Sequence, residues 1–310
     1  MNIERILVTG RLHKQIQEIV EKKQLDTCFR FLAKEQVTQE DLEWADAYVD
    51  FGPIENMNYK GLKWVHSLGA GVDAFVLNRT WEEQVLLTRT ICSFGQRMSE
   101  YCLSYMLRDV QKHDTYASQQ AEKKWNPIAP TMLSSQTVVI YGTGEIGSQI
   151  GRVLTALGTT VYGVSASGTQ KEGFTHVFSR SDEQDVLQKA DWIISTLPLT
   201  LETKRMFDES FFSQLHASSF INVGRGGTVH TEELVNALNK GQVRQAVLDV
   251  FAEEPLPISS PLWNHPNITV TPHISAITTP KEAVACFMDT LERIQQGKPL
   301  LNKVAIDKGY

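Results

Sequence analysis

Short apolar runs alternate with amphipathic stretches along most of the chain. In the first third, residues 5–10, 27–32, 47–51, 62–67 and 85–90 are compact runs rich in branched and aromatic residues, and they read as strands. Between the first two, residues 12–22 set Ile16, Ile19 and Val20 on one helical face. Thr38-Gln39-Glu40-Asp41 reads as a helix start, with Thr38 as N-cap and Asp41 reaching back to it. Strands alternating with helices predict a parallel sheet covered on both faces.

The alternation pauses over 99–119, a long helical pattern with Tyr101, Cys102, Tyr105, Met106 and Val110 on one side. It resumes with strands over 137–141, 160–164, 191–197, 219–223, 246–250 and 268–271. Helices are expected over 182–190 and 231–240, the second capped by Thr231 and stopped by Gly241. A closing helix spans 281–296, outside this second unit. The economical reading returns it to the first, so the expected domains are 1–98 with 278–310, and 99–277. Two crossings would form a hinge with a cleft between the lobes.

The predicted strand 137–141 runs straight into Gly142-Thr143-Gly144-Glu145-Ile146-Gly147, and Ile146, Ile150, Val153, Leu154 and Leu157 then recur at helical spacing. A strand, a glycine turn and a helix give the GxGxxG pattern its meaning. The first glycine makes the tight turn, the second lets a pyrophosphate approach the backbone, and the third lets helix and strand pack closely. The helix N-terminus then offers N–H groups to phosphates.

Composition narrows the partners. The 310 residues are 42% hydrophobic and 21% charged, an ordinary globular balance, with a net charge of −6. That balance argues against nucleic acid, which needs a basic face. No apolar stretch reaches the roughly 18 residues of a membrane helix, and the N-terminal residues lack a signal-peptide pattern. The four cysteines (Cys28, Cys92, Cys102, Cys286) form no CxxC pair and read as buried thiols in a reducing compartment. A cytoplasmic protein is expected, with no metal site.

Ligands of open parallel sheets bind beyond the carboxyl ends of the strands. Three residues at predicted strand ends suit acid–base work on an anionic substrate. Arg225, among glycines after strand 219–223, can grip a carboxylate with two hydrogen bonds. His273, after strand 268–271, can exchange a proton near neutral pH. Glu254 lies in the loop after Asp249, and beside an imidazole it would favour the charged ring. Sequence separation leaves open whether Glu254 and His273 touch.

Asn222-Val223-Gly224-Arg225-Gly226, the run from Leu248 and Asp249 through Glu254 to Leu256, and Thr271-Pro272-His273 resemble the signature blocks of the D-isomer-specific 2-hydroxyacid dehydrogenases. Trp125, Leu68-Gly69-Ala70-Gly71-Val72-Asp73 and Ser195-Thr196-Leu197-Pro198-Leu199-Thr200 fit as well, over nearly the whole chain. Phe94-Gly95-Gln96-Arg97-Met98-Ser99-Glu100-Tyr101 resembles the glyoxylate/hydroxypyruvate reductase branch. The resemblance implies two doubly wound α/β domains, a flavodoxin-like substrate domain and a Rossmann dinucleotide-binding domain, in a homodimer. It implies that Arg225, with backbone N–H groups at Gly69, Ala70 and Gly71, binds the carboxylate of a small 2-keto acid. His273 would donate the proton and Glu254 would hold it charged. Asp249 would contact the nicotinamide end, and Thr196, Leu197, Pro198, Val223 and Gly224 would line the cofactor channel. The other reading is a dinucleotide-sensing protein of the same fold with little turnover.

One departure concerns the cofactor. NAD-selective sites place an acid about 20 residues beyond the glycines. Here that stretch is Gly163-Val164-Ser165-Ala166-Ser167-Gly168, with no acid. A carboxylate would repel a 2′-phosphate, whereas Ser165 and Ser167 can hydrogen-bond one. NADP(H) is therefore favoured, with NAD(H) as the alternative. Ala166 supplies no arginine clamp. Lys171 and Arg180 are the candidate cations, their placement open.

Overall fold

The computed structural model describes residues 1–23, 25–55 and 57–309. The chain divides into two compact units, Met1–Cys92 with Thr278–Tyr310, and Ser93–Ile277.

The first unit contains β1 (Arg5–Val8), α1 (His13–Val20), β2 (Cys28–Phe31), α2 (Gln39–Trp44), β3 (Ala47–Asp50), β4 (Trp64–Ser67), α3 (Asp73–Val76) and β5 (Leu86–Arg89). The five strands are parallel, in the order β2-β1-β3-β4-β5, a flavodoxin-like winding. Thr38 and Asp41 form the expected capping box of α2. Cys28, expected inside, is exposed at the start of the edge strand β2, where one side of the ladder faces solvent.

The second unit opens with α4 (Phe94–Val110) and α5 (His113–Ala121), followed by β6 (Thr137–Tyr141), α6 (Glu145–Ala156), β7 (Thr160–Ser165) and β8 (His176–Ser179). It continues with α7 (Gln184–Leu187), β9 (Trp192–Ser195), α8 (Glu209–Phe212), β10 (Ser218–Asn222), α9 (Thr231–Asn239), β11 (Val243–Leu248) and β12 (Ile268–Val270). The helix expected over 99–119 differs in two ways. It starts at Phe94, so 94–98 belong with this unit, and it breaks at Lys112, whose φ of 59° is left-handed. Thr231 is the first residue of α9 rather than its cap; His230 holds the capping position, with no side-chain cap bond.

All seven strands are parallel, in the order β12-β11-β10-β9-β6-β7-β8. Alternate residues feed two cores. Val139, Tyr141, Ile193, Phe220 and Leu248 pack on one side with Phe207, Phe212 and Leu234. Val138, Ile140, Trp192, Ile194, Ile221 and Val247 pack on the other with Cys102 and Met106 of α4 and Ile150 and Leu154 of α6. Burial of both faces explains why these strands read as continuous apolar runs.

The closing helix α10 (Pro280–Gln296) belongs to the first unit for a packing reason. Phe287, Leu291 and Ile294 lie against Ile6, Val49 and Trp64. The Phe287 and Trp64 rings stack with centroids 5.4 Å apart. Burying one such ring is worth roughly 1.5–3 kcal/mol. Thr279 and Glu282 cap the helix reciprocally, Pro280 occupies its first turn, and Gly297, at φ 66°, ends it. No helix among the described residues is long and apolar enough to cross a membrane.

Candidate active site

The order of the second sheet sets the candidate residues in a row along its carboxyl edge. Ser165 ends β7, Gly142 follows β6, Thr196 follows β9, Arg225 lies beyond β10, Asp249 follows β11 and His273 lies beyond β12. Five interstrand steps separate β7 from β12, about 24 Å at roughly 4.8 Å each. The strand order reverses between β9 and β6, and such a switch point is where dinucleotides cross an open sheet.

The turn after β6 has the shape a pyrophosphate needs. A Cβ on Gly147 would stand 1.8 Å from the Gly142 carbonyl oxygen, so helix and turn close only with glycine there. A Cβ on Gly144 would meet no protein atom within 4 Å. The space it leaves therefore faces outward, over the first turn of α6, where no side-chain cap occupies the N–H groups. Thr196 braces this cradle from the next strand; its Oγ1 hydrogen-bonds the Tyr141 and Gly142 carbonyls at 3.1 and 3.0 Å. Pro198 accepts from Thr203 Oγ1 at 2.7 Å, which fixes the turn after Leu197. Val223 and Gly224, both expected along the channel, are buried, and Gly224 is packed so tightly on Leu197 that a Cβ would lie 2.5 Å from its carbonyl oxygen, which leaves half-buried Leu197 as the more open residue of the pair of turns. The cradle fits a dinucleotide.

Arg225 is fixed through its backbone and through its guanidinium, whose Nη1 donates to the Gly224 carbonyl at 2.9 Å. Its carbonyl accepts from Asn222 Nδ2 at 3.1 Å, Thr228 Oγ1 at 2.7 Å and Thr228 N–H at 3.2 Å. The next residue, Gly226, presses so closely on Phe251 that a Cβ would lie 2.0 Å from its carbonyl carbon. The turns after β10 and β11 are thus locked together.

The structure joins Glu254 and His273, the contact that sequence separation left open. His273 Nδ1 lies 2.7 Å from Glu254 Oε2, and Glu254 Oε1 accepts the Phe251 N–H at 2.8 Å. Partial burial raises the Glu254 pKa. Hydrogen bonds from His273 and Phe251 and the positive charges of His273 and Arg225 outweigh it, so the group titrates below the ordinary carboxylate range. Glu254 is therefore ionised at neutral pH and accepts the Nδ1 proton, which leaves Nε2 as the outward nitrogen. That Arg225 is felt at Glu254 ties all three residues to one locality.

Asp249 has a different surrounding from the one expected of a nicotinamide contact. It is fully buried. Oδ1 accepts from Thr271 Oγ1 at 2.6 Å and Ile274 N–H at 2.8 Å, Oδ2 accepts from Ser275 N–H at 2.9 Å, and its carbonyl accepts from His273 N–H at 2.9 Å. Its carboxylate shapes the loop on which His273 adopts a left-handed φ of 54°. The Thr271 hydroxyl proton goes to Asp249, so Tyr101, 2.7 Å away, is the donor to Thr271. Burial pushes the Tyr101 phenol pKa up and keeps that proton in place. Sequence periodicity placed Tyr101 on an apolar helix face and missed this support.

A dinucleotide cradle after the interior strand β6 and an arginine–glutamate–histidine group toward the β12 end of the same sheet edge define a nicotinamide-dependent dehydrogenase. Comparison with known proteins narrows the class. The signature of the family described as D-isomer specific 2-hydroxyacid dehydrogenase, NAD binding domain, matches residues 103–275. Glyoxylate/hydroxypyruvate reductase A of Enterobacter sp. (strain 638) is 36% identical over 280 residues, covering 87% of this chain and 89% of that protein. Two crystal structures align over nearly the full length. One is a D-isomer specific 2-hydroxyacid dehydrogenase from Xanthobacter autotrophicus Py2 in complex with NADPH and MES, with a TM-score of 0.90, 28% identity and 100% of both chains covered. The other is an NADPH-dependent glyoxylate/hydroxypyruvate reductase from Sinorhizobium meliloti in complex with NADP and sulfate, with a TM-score of 0.88, 27% identity and 99% of this chain and 100% of that one covered. The chain belongs to the D-isomer-specific 2-hydroxyacid dehydrogenase family.

Proposed function

We propose that this protein reduces a small 2-keto acid, such as glyoxylate or hydroxypyruvate, to the D-2-hydroxy acid with NADPH. The observation that carries the reading is the 2.7 Å bond between His273 Nδ1 and an ionised Glu254 that also feels Arg225. In this reading the Arg225 guanidinium holds the substrate carboxylate and polarises the keto oxygen. Backbone N–H groups of Ala70 and Gly71 add donors to the carboxylate; that of Gly69, expected with them, is turned to Ser67 Oγ at 3.3 Å. His273 gives its Nε2 proton to the keto oxygen, and Glu254 stabilises the charged ring that donates it. Gly142, Thr143, Gly144, Glu145, Ile146 and Gly147 hold the pyrophosphate, with Ser165 and Ser167 at the adenosine end and Thr196, Leu197, Pro198, Val223 and Gly224 along the channel. When bound, the nicotinamide supplies the hydride for the keto carbon; positioning and charge are the protein's share.

The enzyme relatives and the NADPH or NADP held by the structural neighbours support this reading. A 2-keto acid panel followed by NADPH oxidation tests it. Glyoxylate or hydroxypyruvate is expected to be turned over, and NADPH to give a higher kcat/KM than NADH. A protein that binds NADPH and reduces no keto acid is a nucleotide-sensing binder instead, and a clear NADH preference overturns the cofactor half.

A cytoplasmic homodimer belongs to the same reading. Its support is the segment between α5 and β6, where Trp125 is 99% and Met132 71% exposed, large apolar groups a second copy would cover. A cytosolic fraction holding the protein at about twice its 34.9 kDa chain mass is the expected result. A monomer, or recovery with membranes, counts against it.

A further inference from the structure

We propose that Lys171 is the cation that reads the 2′-phosphate of NADP(H), replacing the arginine that the stretch after β7 lacks. The inference rests on the NADPH reading above and names the residue that gives it selectivity.

Lys171 lies in the connection between β7 and β8. That connection is held from both sides. Gln170 Nε2 donates to the Phe174 carbonyl at 3.0 Å, and Gln170 Oε1 accepts the Val177 N–H at 2.9 Å, which pins the loop to β8. On the other side the Gly173 carbonyl accepts from Thr155 Oγ1 of α6 at 3.1 Å. From this fixed base Lys171 Nζ reaches the Thr143 carbonyl at 2.9 Å. Thr143 is the second residue of the glycine turn. Its methyl group lies so close to Gly163 of β7 that a Cβ there would be 2.6 Å away. The ammonium, the phosphate turn and the β7 end therefore meet at one point, and the end of this second Rossmann strand is where the adenosine ribose is recognised.

The hydrogen-bond inventory suits a phosphate. An ammonium has three donors, and the Thr143 carbonyl takes one. Ser165 Oγ accepts from Gly168 N–H at 3.2 Å, and Ser167 Oγ accepts from Thr169 N–H at 3.3 Å and Thr169 Oγ1 at 2.8 Å. None of these bonds uses the serine protons, so both hydroxyls keep a donor for an anion. A phosphate monoester carries about −1.5 to −2 charges at neutral pH, and a ribose hydroxyl carries none. The ammonium therefore separates NADP(H) from NAD(H) by charge. Arg180, the other cation open on sequence, is directed at the turn after β9 rather than at the glycine turn. Its guanidinium donates to the Glu202 carbonyl at 3.2 Å, and its charge bears on Glu183.

Lys171 could instead only latch the glycine turn, and that role would serve both cofactors equally. Fluorescence titration of the full chain with NADPH and with NADH, and displacement by adenosine 2′,5′-bisphosphate, separate the two roles. Lys171→Met is expected to weaken NADPH and the bisphosphate about tenfold or more, the scale of one charge-assisted hydrogen bond. NADH affinity should stay within about twofold, and Lys171→Arg should retain the NADPH preference. If the wild type prefers NADPH and Lys171→Met leaves the ratio unchanged, or Arg180→Met lowers it more, the Lys171 inference falls and the NADPH reading stands. Equal wild-type affinity for both cofactors overturns the two together.

Discussion

Replacing His273 by asparagine is expected to lower kcat for 2-keto acid reduction by about 10³-fold, within the range one positioned acid or base supplies, with the Kd for NADPH within about twofold. Asparagine, rather than alanine, is the informative change. His273 holds a φ of 54°, and a residue with a Cβ pays roughly 1–2 kcal/mol to sit there unless, like histidine or asparagine, its polar side chain suits that region. His273→Ala therefore confounds loss of the proton with a shift of the loop. His273→Asn keeps the backbone tolerance and removes the imidazole. Glu254 is ionised and holds Nδ1, so the ring works through Nε2 alone. Asparagine has no group that can give up a proton near neutral pH. Cofactor affinity is the control, because the pyrophosphate cradle follows β6, four strands from β12. Single-turnover kinetics with saturating NADPH measure the loss. More than about a tenth of wild-type turnover in His273→Asn would remove the ring from the proton step.

The same residues show what the chain discloses before it is folded. Gly142, Gly144 and Gly147 are legible because their roles are local, set by the strand just before them and the helix just after. Arg225 and His273 are legible as candidates because each follows an apolar run that ends in glycine or proline, and Glu254 because it stands before Pro255 in the loop after Asp249. The 2.7 Å contact between His273 and Glu254 was not legible. It depends on β11 and β12 being neighbours and on a loop whose course Asp249 dictates through four hydrogen bonds. A buried acid that only shapes backbone has the same sequence signature as one that touches a ligand. Strand β8 was missed for a simpler reason. His176-Val177-Phe178-Ser179 is too short for its alternation to exceed loop noise, and its place on the sheet comes from β7 and from Gln170. The long helix was overextended because nothing in the composition of Gln111 and Lys112 marks the left-handed turn there. Lys171 illustrates the general limit. A lysine in a polar loop is usually solvated, and only the anchoring of Gln170 and Gly173 directs this one at Thr143.

Arg225→Met is expected to lower kcat/KM for the keto acid by about 10³-fold or more, and Arg225→Lys by about 10²-fold, with the lysine loss falling mainly on KM. The guanidinium presents two parallel donors to a carboxylate, and each charge-assisted hydrogen bond is worth roughly 1.5–3 kcal/mol. Methionine removes both bonds and the charge. Lysine keeps the charge as a single point and loses the planar fork. The two variants differ in a second way. The Arg225 charge contributes to the lowered Glu254 pKa, so methionine lets that pKa drift upward and lysine restrains it. A lowered carboxylate pKa means its interaction is present at neutral pH and is lost as pH falls through the folded-state value. In Arg225→Met the acidic decline of activity should therefore begin at a higher pH than in the wild type, and in Arg225→Lys it should move less. The substitution removes the bond that the guanidinium gives the Gly224 carbonyl at 2.9 Å but keeps those that run from Asn222 and Thr228 to the Arg225 carbonyl, so the turn should stay in place. Competitive inhibition by a small carboxylate, measured beside kcat/KM, reads the grip on the anion directly. If Arg225→Met retains kcat/KM within about tenfold and binds that inhibitor as the wild type does, the carboxylate is held by another group and Arg225 is only part of the turn.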